Sequence, residues 1–186
     1  MVSFSDLSLR ITGWLRKRHI RNFLPTLLEL LQPEKQDIIL DVGAGTGVIA
    51  DEISKYSEEV FALDPDPKRI EYIKKTYPQV KAFDGTAEAI QFPEFYFTKV
   101  YAISSFHHFK DADTAIYEVY RILKHGGLFL IKESNPEISR SKFERRVSGV
   151  NFLTSDSLKE MLENSSFEIK QLKKIGGDYF ISASKT

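Results

Sequence analysis

A short apolar run, Ile38-Ile39-Leu40-Asp41-Val42, leads directly into Gly43-Ala44-Gly45-Thr46-Gly47 and then into a segment of helical character. This junction constrains the fold more than any other part of the chain. An apolar stretch without alternation marks a strand covered on both faces. Three alternate glycines let the backbone turn tightly and keep side chains from standing between it and a ligand. Helix-start N–H groups beyond such a turn are expected to point into the gap, where a carboxylate or phosphate can accept from them. The same apolar character returns at 59–63, 80–83, 100–103 and 128–131, with helices expected near 47–56, 66–76 and 111–124. Strands alternating with helices predict an α/β fold, a parallel sheet with right-handed crossovers.

In the 111–124 segment, Asp111 or Asp113 caps the start and Ile116, Val119, Tyr120 and Leu123 form the buried stripe. Lys124 and His125 are expected in its last turn, with Gly126 as the stop. A further helix is predicted over 154–164, capped by Thr154 and buried through Leu158, Met161 and Leu162. Beyond it, 167–172 and 179–183 are joined through Gly176-Gly177-Asp178, a hairpin that ends the sheet with an antiparallel strand. At the front, residues 7–31 are mostly helical, with Pro25 starting or kinking the segment that runs into Leu27-Leu28-Glu29-Leu30-Leu31.

Asp64 ends the second strand, 17 positions after Gly47. A carboxylate there meets the two hydroxyls of a ribose whose adenosine lies across the strand ends. Composition narrows the rest. At 186 residues the chain is one domain, and 26 basic against 26 acidic residues speak against bulk nucleic-acid or membrane-surface binding. The sequence has no cysteine, which excludes thiolate nucleophiles, disulfide scaffolds and zinc ribbons and fits a cytoplasmic, reducing compartment. No signal peptide or apolar run of membrane-spanning length is visible, so a soluble protein is expected.

Ile39-Leu40-Asp41-Val42-Gly43-Ala44-Gly45-Thr46-Gly47 resembles the first signature of the class I S-adenosylmethionine-dependent methyltransferases, within them the small-molecule branch that includes ubiquinone and menaquinone methyltransferases. Ala62-Leu63-Asp64-Pro65 resembles the family's ribose-binding acidic loop, and 85–93 its adenine-flanking loop. Phe106-His107-His108 resembles its histidine pair, and Leu123-Lys124-His125-Gly126-Gly127 its turn before the fifth strand. The resemblance implies a three-layer sandwich with a seven-stranded, mostly parallel sheet whose last strand is antiparallel. One methyltransferase domain would then comprise an N-terminal helical segment, 1–36, and a Rossmann-like core, 37–186. It also implies S-adenosylmethionine as methyl donor and S-adenosylhomocysteine as product, held by Asp41, Gly43, Ala44, Gly45, Thr46, Gly47, Asp64, Pro65, Gly85, Ala87 and Ser104. Where the family often has an aspartate for the adenine amino group, this chain has Thr86, itself counted with Asp84 among the cofactor-binding residues, so the amino-group contact falls to the Ala87 backbone or to Asp84. Where the family has Phe-Asp entering the fourth strand, this chain has Phe97-Thr98, a position read as architectural.

Methyl transfer needs alignment and exclusion of water, and a general base only for an acceptor that arrives protonated. Ser104, Ser105, His107 and His108 follow the fourth strand at its carboxyl end, where open α/β sheets bind ligands. His107 and His108 are the candidate bases, His107 ahead of His108. Glu133 ends the fifth strand at the same mouth. Arg140, Lys142, Arg145 and Arg146, with Phe143, read as a solvated basic stretch or as a hold on an anionic acceptor. Arg16, Lys17, Arg18, His19 and Arg21 spread around their helix rather than form one stripe, and Trp14 is either a cap over the cofactor or ordinary packing. The Asn- or Asp-Pro-Pro-aromatic motif of nucleic-acid base methyltransferases is absent, since the chain reads Ser104-Ser105-Phe106-His107. Three classes stay open: a methyltransferase acting on a small molecule, a non-catalytic S-adenosylmethionine-binding regulator of a partner protein, and a nicotinamide-dependent dehydrogenase. A homodimer is compatible with each of them.

Overall fold

The computed structural model describes residues 20–135 and 153–186. In chain order the elements are α1 (Leu24–Leu31), β1 (Ile38–Val42), α2 (Val48–Ile53), β2 (Glu59–Asp64), α3 (Pro67–Thr76), β3 (Lys81–Asp84), β4 (Phe97–Ile103), a 3-10 turn (Phe106–His108), α4 (Ala112–Ile122), β5 (Leu123–Ser134), α5 (Ser155–Asn164), β6 (Phe167–Ile175) and β7 (Asp178–Lys185). They form one seven-stranded sheet in the order β3-β2-β1-β4-β5-β7-β6. β7 runs antiparallel to both β5 and β6. The strand order reverses between β1 and β4, and at such a switch point the carboxyl ends of neighbouring strands diverge into a crevice.

Successive residues of a strand point to opposite faces, and both faces here are covered. Leu40, Val42, Phe61, Val100, Ala102, Phe129 and Ile131 pack with Ile116 and Val119 of α4 and Leu158 and Leu162 of α5. Their neighbours Ile39, Val60, Ala62, Tyr101 and Leu130 pack with Leu27 and Leu31 of α1, Val48 and Ile53 of α2, and Ile70 and Ile73 of α3. That two-sided burial is why these strands read as continuous apolar runs rather than as alternations.

The α4 end departs from its sequence reading. The helix stops at Ile122, and Leu123 already has extended dihedrals and pairs with Phe97. Lys124 and His125 therefore lie beyond the last turn, on β5, where the His125 ring stacks on Phe95 at 5.0 Å. Gly126 has φ +73° but turns the strand rather than stopping the helix. Thr98 fastens the base of the switch point. Its Oγ1 accepts from the Ile38 N–H at 3.0 Å and donates to Asp37 Oδ1 at 2.8 Å. Trp14, the basic group at 16–19 and the basic stretch at 140–146 lie outside the described residues.

One ion pair ties the 85–93 loop to α4. Arg121 on α4 donates to the Ile90 and Phe92 carbonyls, each at 2.8 Å, while Glu118 accepts from the Ile90 N–H at 2.9 Å and from Arg121 Nε and Nη2. The Arg121 hydrogen bonds hold the Glu118 carboxyl below its ordinary value, against the opposing effect of burial. A carboxyl depressed in the folded state adds stability above its unfolded value and loses it as pH falls through the folded one. We expect Glu118→Gln to cost about 1–2 kcal/mol at neutral pH. Urea unfolding over a pH series should show the difference from wild type shrinking to nothing in acid.

Candidate active site

Two cavities open at the carboxyl ends of β1 and β4. The larger, about 330 Å³, is walled by Gly43, Gly45, Leu63, Asp64, Pro65 and Arg69, by Gly85 to Glu88, and by Ser104, Ser105, His108, Phe109 and Lys110. The smaller, about 170 Å³, is walled by Ile20, Phe23, Asp41, Gly43, Ala44, Thr46, Val48, Ile49, Ile103 and Ser104. Gly43 from the end of β1 and Ser104 from the end of β4 line both, so the two chambers meet at the switch point. Both residues have left-handed dihedrals, φ +76° and +51°. At Gly43 a Cβ would lie 2.5 Å from Ser105 Cβ, so only glycine fits.

The glycine loop is built differently from the expected cradle of open N–H groups. Gly43 and Ala44 donate to the Leu63 carbonyl at 2.8 and 3.0 Å, Gly45 donates to Asp64 Oδ2 at 2.8 Å, and Gly47 donates to the Ala44 carbonyl at 2.9 Å. These donors are committed to the fold and are not offered to a pyrophosphate. What the loop presents instead is the Thr46 side chain. Thr46 is 3% exposed, and its Oγ1 has no hydrogen-bond partner among the described residues. A buried hydroxyl without a partner in a cavity wall is a place for a polar ligand atom. Below it, Tyr101 is fully buried and paired in register with Asp41. Burial first, and then the Asp41 carboxylate, push its phenol well above the ordinary value, so it stays protonated.

Asp64 is buried at 2% exposure and does more than end a strand. Oδ2 accepts from Gly45, Oδ1 accepts from the Asp66 N–H at 3.0 Å, and Arg69 Nη1 stands 3.4 Å from Oδ2. Each oxygen can accept again, which is what a pair of ribose hydroxyls requires. Across the chamber Glu88 accepts from the Lys110 N–H at 2.6 Å and ties the 85–93 loop to the segment after β4. Burial would raise the Glu88 carboxyl, but backbone N–H donors hold it below its ordinary value.

The histidine pair divides. His108 lines the larger chamber, whereas His107 lines neither and places Nδ1 2.7 Å from Glu133 Oε2. The other Glu133 oxygen accepts from the Phe106 N–H at 2.8 Å. Glu133, 3% exposed, thus holds the first two residues of the short turn that presents His108 to the cavity.

Residues 40–131 match the family model described as methyltransferase domain. This chain carries a methyltransferase domain. An uncharacterized methyltransferase of Bacillus subtilis, YcgJ, is 34% identical over 99 residues, covering 50% of this chain and 39% of the relative. The chloroplastic 2-methyl-6-phytyl-1,4-hydroquinone methyltransferase of Arabidopsis thaliana is 31% identical over 147 residues, 76% of this chain and 43% of the relative. The chain thus spans less than half the length of these curated relatives. Among solved structures, a chain from the complex between the Haloferax volcanii Trm112 methyltransferase activator and a methyltransferase superposes with a TM-score of 0.86. It covers 99% of this chain and 98% of that one at 14% identity, a likeness of fold.

Within the methyltransferase domain, the larger chamber brings together Gly43, Gly45, Asp64, Pro65, Gly85, Thr86, Ala87 and Ser104 of the predicted set, and the smaller one Asp41, Ala44 and Thr46. Gly47 and Asp84 wall neither. Gly47 caps α2 with φ +73°, where a Cβ would lie 2.7 Å from Ile73 Cγ1, and Asp84 sits beside Asp64 at the exposed sheet edge. Sequence reasoning missed Arg69, Phe109 and Lys110 in the walls. Arg69 carried a usable signal, since it falls in the first turn of the helix that follows Asp64.

Proposed function

We propose that this chain is an S-adenosylmethionine-dependent methyltransferase acting on a small-molecule acceptor. The observation that carries the reading is the pair of chambers meeting at Gly43 and Ser104. The larger has the buried Asp64 carboxylate for a ribose and the Gly85-Thr86-Ala87 edge for an adenine. The smaller has the unpartnered Thr46 hydroxyl and Asp41 for the polar end of a methionyl group. Bound there, S-adenosylmethionine supplies an activated methyl group. The chain's part is to hold that donor and orient the acceptor near Ser104 with water excluded.

The dehydrogenase reading is disfavoured because the loop N–H groups that would hold a pyrophosphate are spent on Leu63 and Asp64. A regulator that binds the donor without turnover would have no use for an acceptor mouth lined by His108 and Ser104. The formal charge of zero favours a small acceptor over a nucleic acid, and a hydroquinone is the first class to try, given the hydroquinone methyltransferase among the relatives. No helix among the described residues is long and apolar enough to cross a membrane, and a cytoplasmic place for the enzyme is part of the proposal.

The test is transfer of a labelled methyl group to hydroquinone, phenol, carboxylate and amine acceptors. Label in a hydroquinone or phenol product supports the reading, and donor binding without transfer to any class returns the chain to the regulator reading. With a protonated acceptor, His108→Gln should lower turnover roughly a hundredfold. His107→Gln should instead lower the melting temperature, since that ring braces the turn through Glu133.

A further inference from the structure

Lys132 is the second-last β5 residue before Ser134 and is 2% exposed, an unusual place for an ammonium group. A buried charge persists only where partners replace its water. Asp178 Oδ2 lies 2.8 Å from Lys132 Nζ and is itself steadied by Ser134 Oγ, which donates to Asp178 Oδ1 at 2.9 Å. The face of the Phe23 ring lies 5.2 Å from Nζ. Lys132 Nζ also donates to Ser104 Oγ at 3.2 Å, and the Ser104 N–H donates to the Lys132 carbonyl at 2.8 Å. Ser104 is therefore fixed through both backbone and side chain in a left-handed conformation that a non-glycine residue adopts only under such constraint.

The consequence lies in the remaining proton. Ser104 is exposed to the cavities, its oxygen accepts from a cation, and its own O–H has no acceptor among the described residues. A hydroxyl whose oxygen accepts from a charged donor becomes a stronger donor itself. It stands where the two chambers join, beside the apolar Ile103, Ile20 and Phe23.

We propose that Ser104 and Lys132 form an oxyanion-binding pair, with the Ser104 hydroxyl touching the acceptor oxygen and Lys132 positioning and polarising that hydroxyl. The pair selects acceptors that carry a phenolate or enolate oxygen. Hydrogen bonding to the ionised form favours ionisation, so the acceptor loses its proton at a lower pH in the site than in water. The inference rests on the methyltransferase reading, which assigns the junction to the acceptor.

The test uses the full chain saturated with S-adenosylhomocysteine and 4-nitrophenol as probe, whose ionisation is read from visible absorbance. The bound phenol is expected to ionise about one pH unit lower than the free one, a tenfold change in its ionisation constant. Ser104→Ala and the double variant Lys132→Met/Asp178→Leu should abolish that shift, and Lys132→Arg should restore part of it. The double variant removes the buried Lys132 charge together with its partly exposed Asp178 partner, which a core tolerates better than loss of one member alone. Calorimetry should give S-adenosylhomocysteine the same affinity in the double variant as in wild type, a result that separates positioning from general damage. Unshifted ionisation in the wild type, or a shift that survives in either variant, overturns the pair. Failure of S-adenosylhomocysteine to bind wild type would instead overturn the methyltransferase reading, and this inference with it.

Discussion

Asp64→Ala is expected to lower the affinity for S-adenosylmethionine at least a hundredfold. The substitution removes the acceptor proposed for two ribose hydroxyls and, with it, the partner of the Gly45 N–H. Hydrogen bonds to a charged group are worth roughly 1.5–3 kcal/mol each, so two of them exceed the ~2.7 kcal/mol that a hundredfold represents. The same change leaves the Gly45 and Asp66 N–H groups without their carboxylate, and a buried donor left unmade costs about 1–3 kcal/mol. Asp64→Ala should therefore also lower the unfolding free energy, so both calorimetric titration and urea unfolding are needed. Asp64→Asn keeps the acceptor geometry at one oxygen and should lose less on both counts.

Gly43→Ala should abolish donor binding altogether. Its φ of +76° costs an L-residue about 1–2 kcal/mol before any contact is considered. The added Cβ would stand 2.5 Å from Ser105 Cβ and 2.9 Å from Ser105 Oγ. Ser105 cannot swing away freely, because its Oγ donates to the Val42 carbonyl at 2.8 Å inside the buried base of the loop. Relief must come from moving the loop itself, which separates the two chambers at the point where they meet. The measurement is donor titration beside a far-ultraviolet melt. A variant that melts near wild type yet takes up no donor is the expected outcome, and one that binds normally would mean the loop does not contact the ligand.

Much of the fold is legible in the sequence because burial on both sheet faces leaves a direct trace. Residues 38–42 and 59–64 can only be strands between two layers, and the Gly176-Gly177 turn fixes the antiparallel end. The end of α4 is not legible in this way. Apolar Leu123 continues the helical stripe and also fits the strand, and its pairing with Phe97, 26 residues away, decides between them. The site follows the same division. The glycine loop, Asp64, Gly85 to Ala87 and Ser104 are marked by residue type and by their place after strands. The N–H groups of the loop are a different matter, because Leu63 and Asp64 claim them only once β1 and β2 lie side by side. Glu133 and Lys132 are adjacent in sequence, yet the pleat sends one to the turn holding His107 and the other to Ser104 and Asp178. No local pattern separates those two roles.

We propose that this crevice holds S-adenosylmethionine across two chambers, with Asp64 at one end and Thr46 at the other. Calorimetric titration of the wild-type chain with S-adenosylmethionine and, separately, with NAD tests it most directly. We expect one-to-one binding of S-adenosylmethionine with micromolar affinity, and no heat with NAD. Heat with NAD and none with S-adenosylmethionine would contradict it.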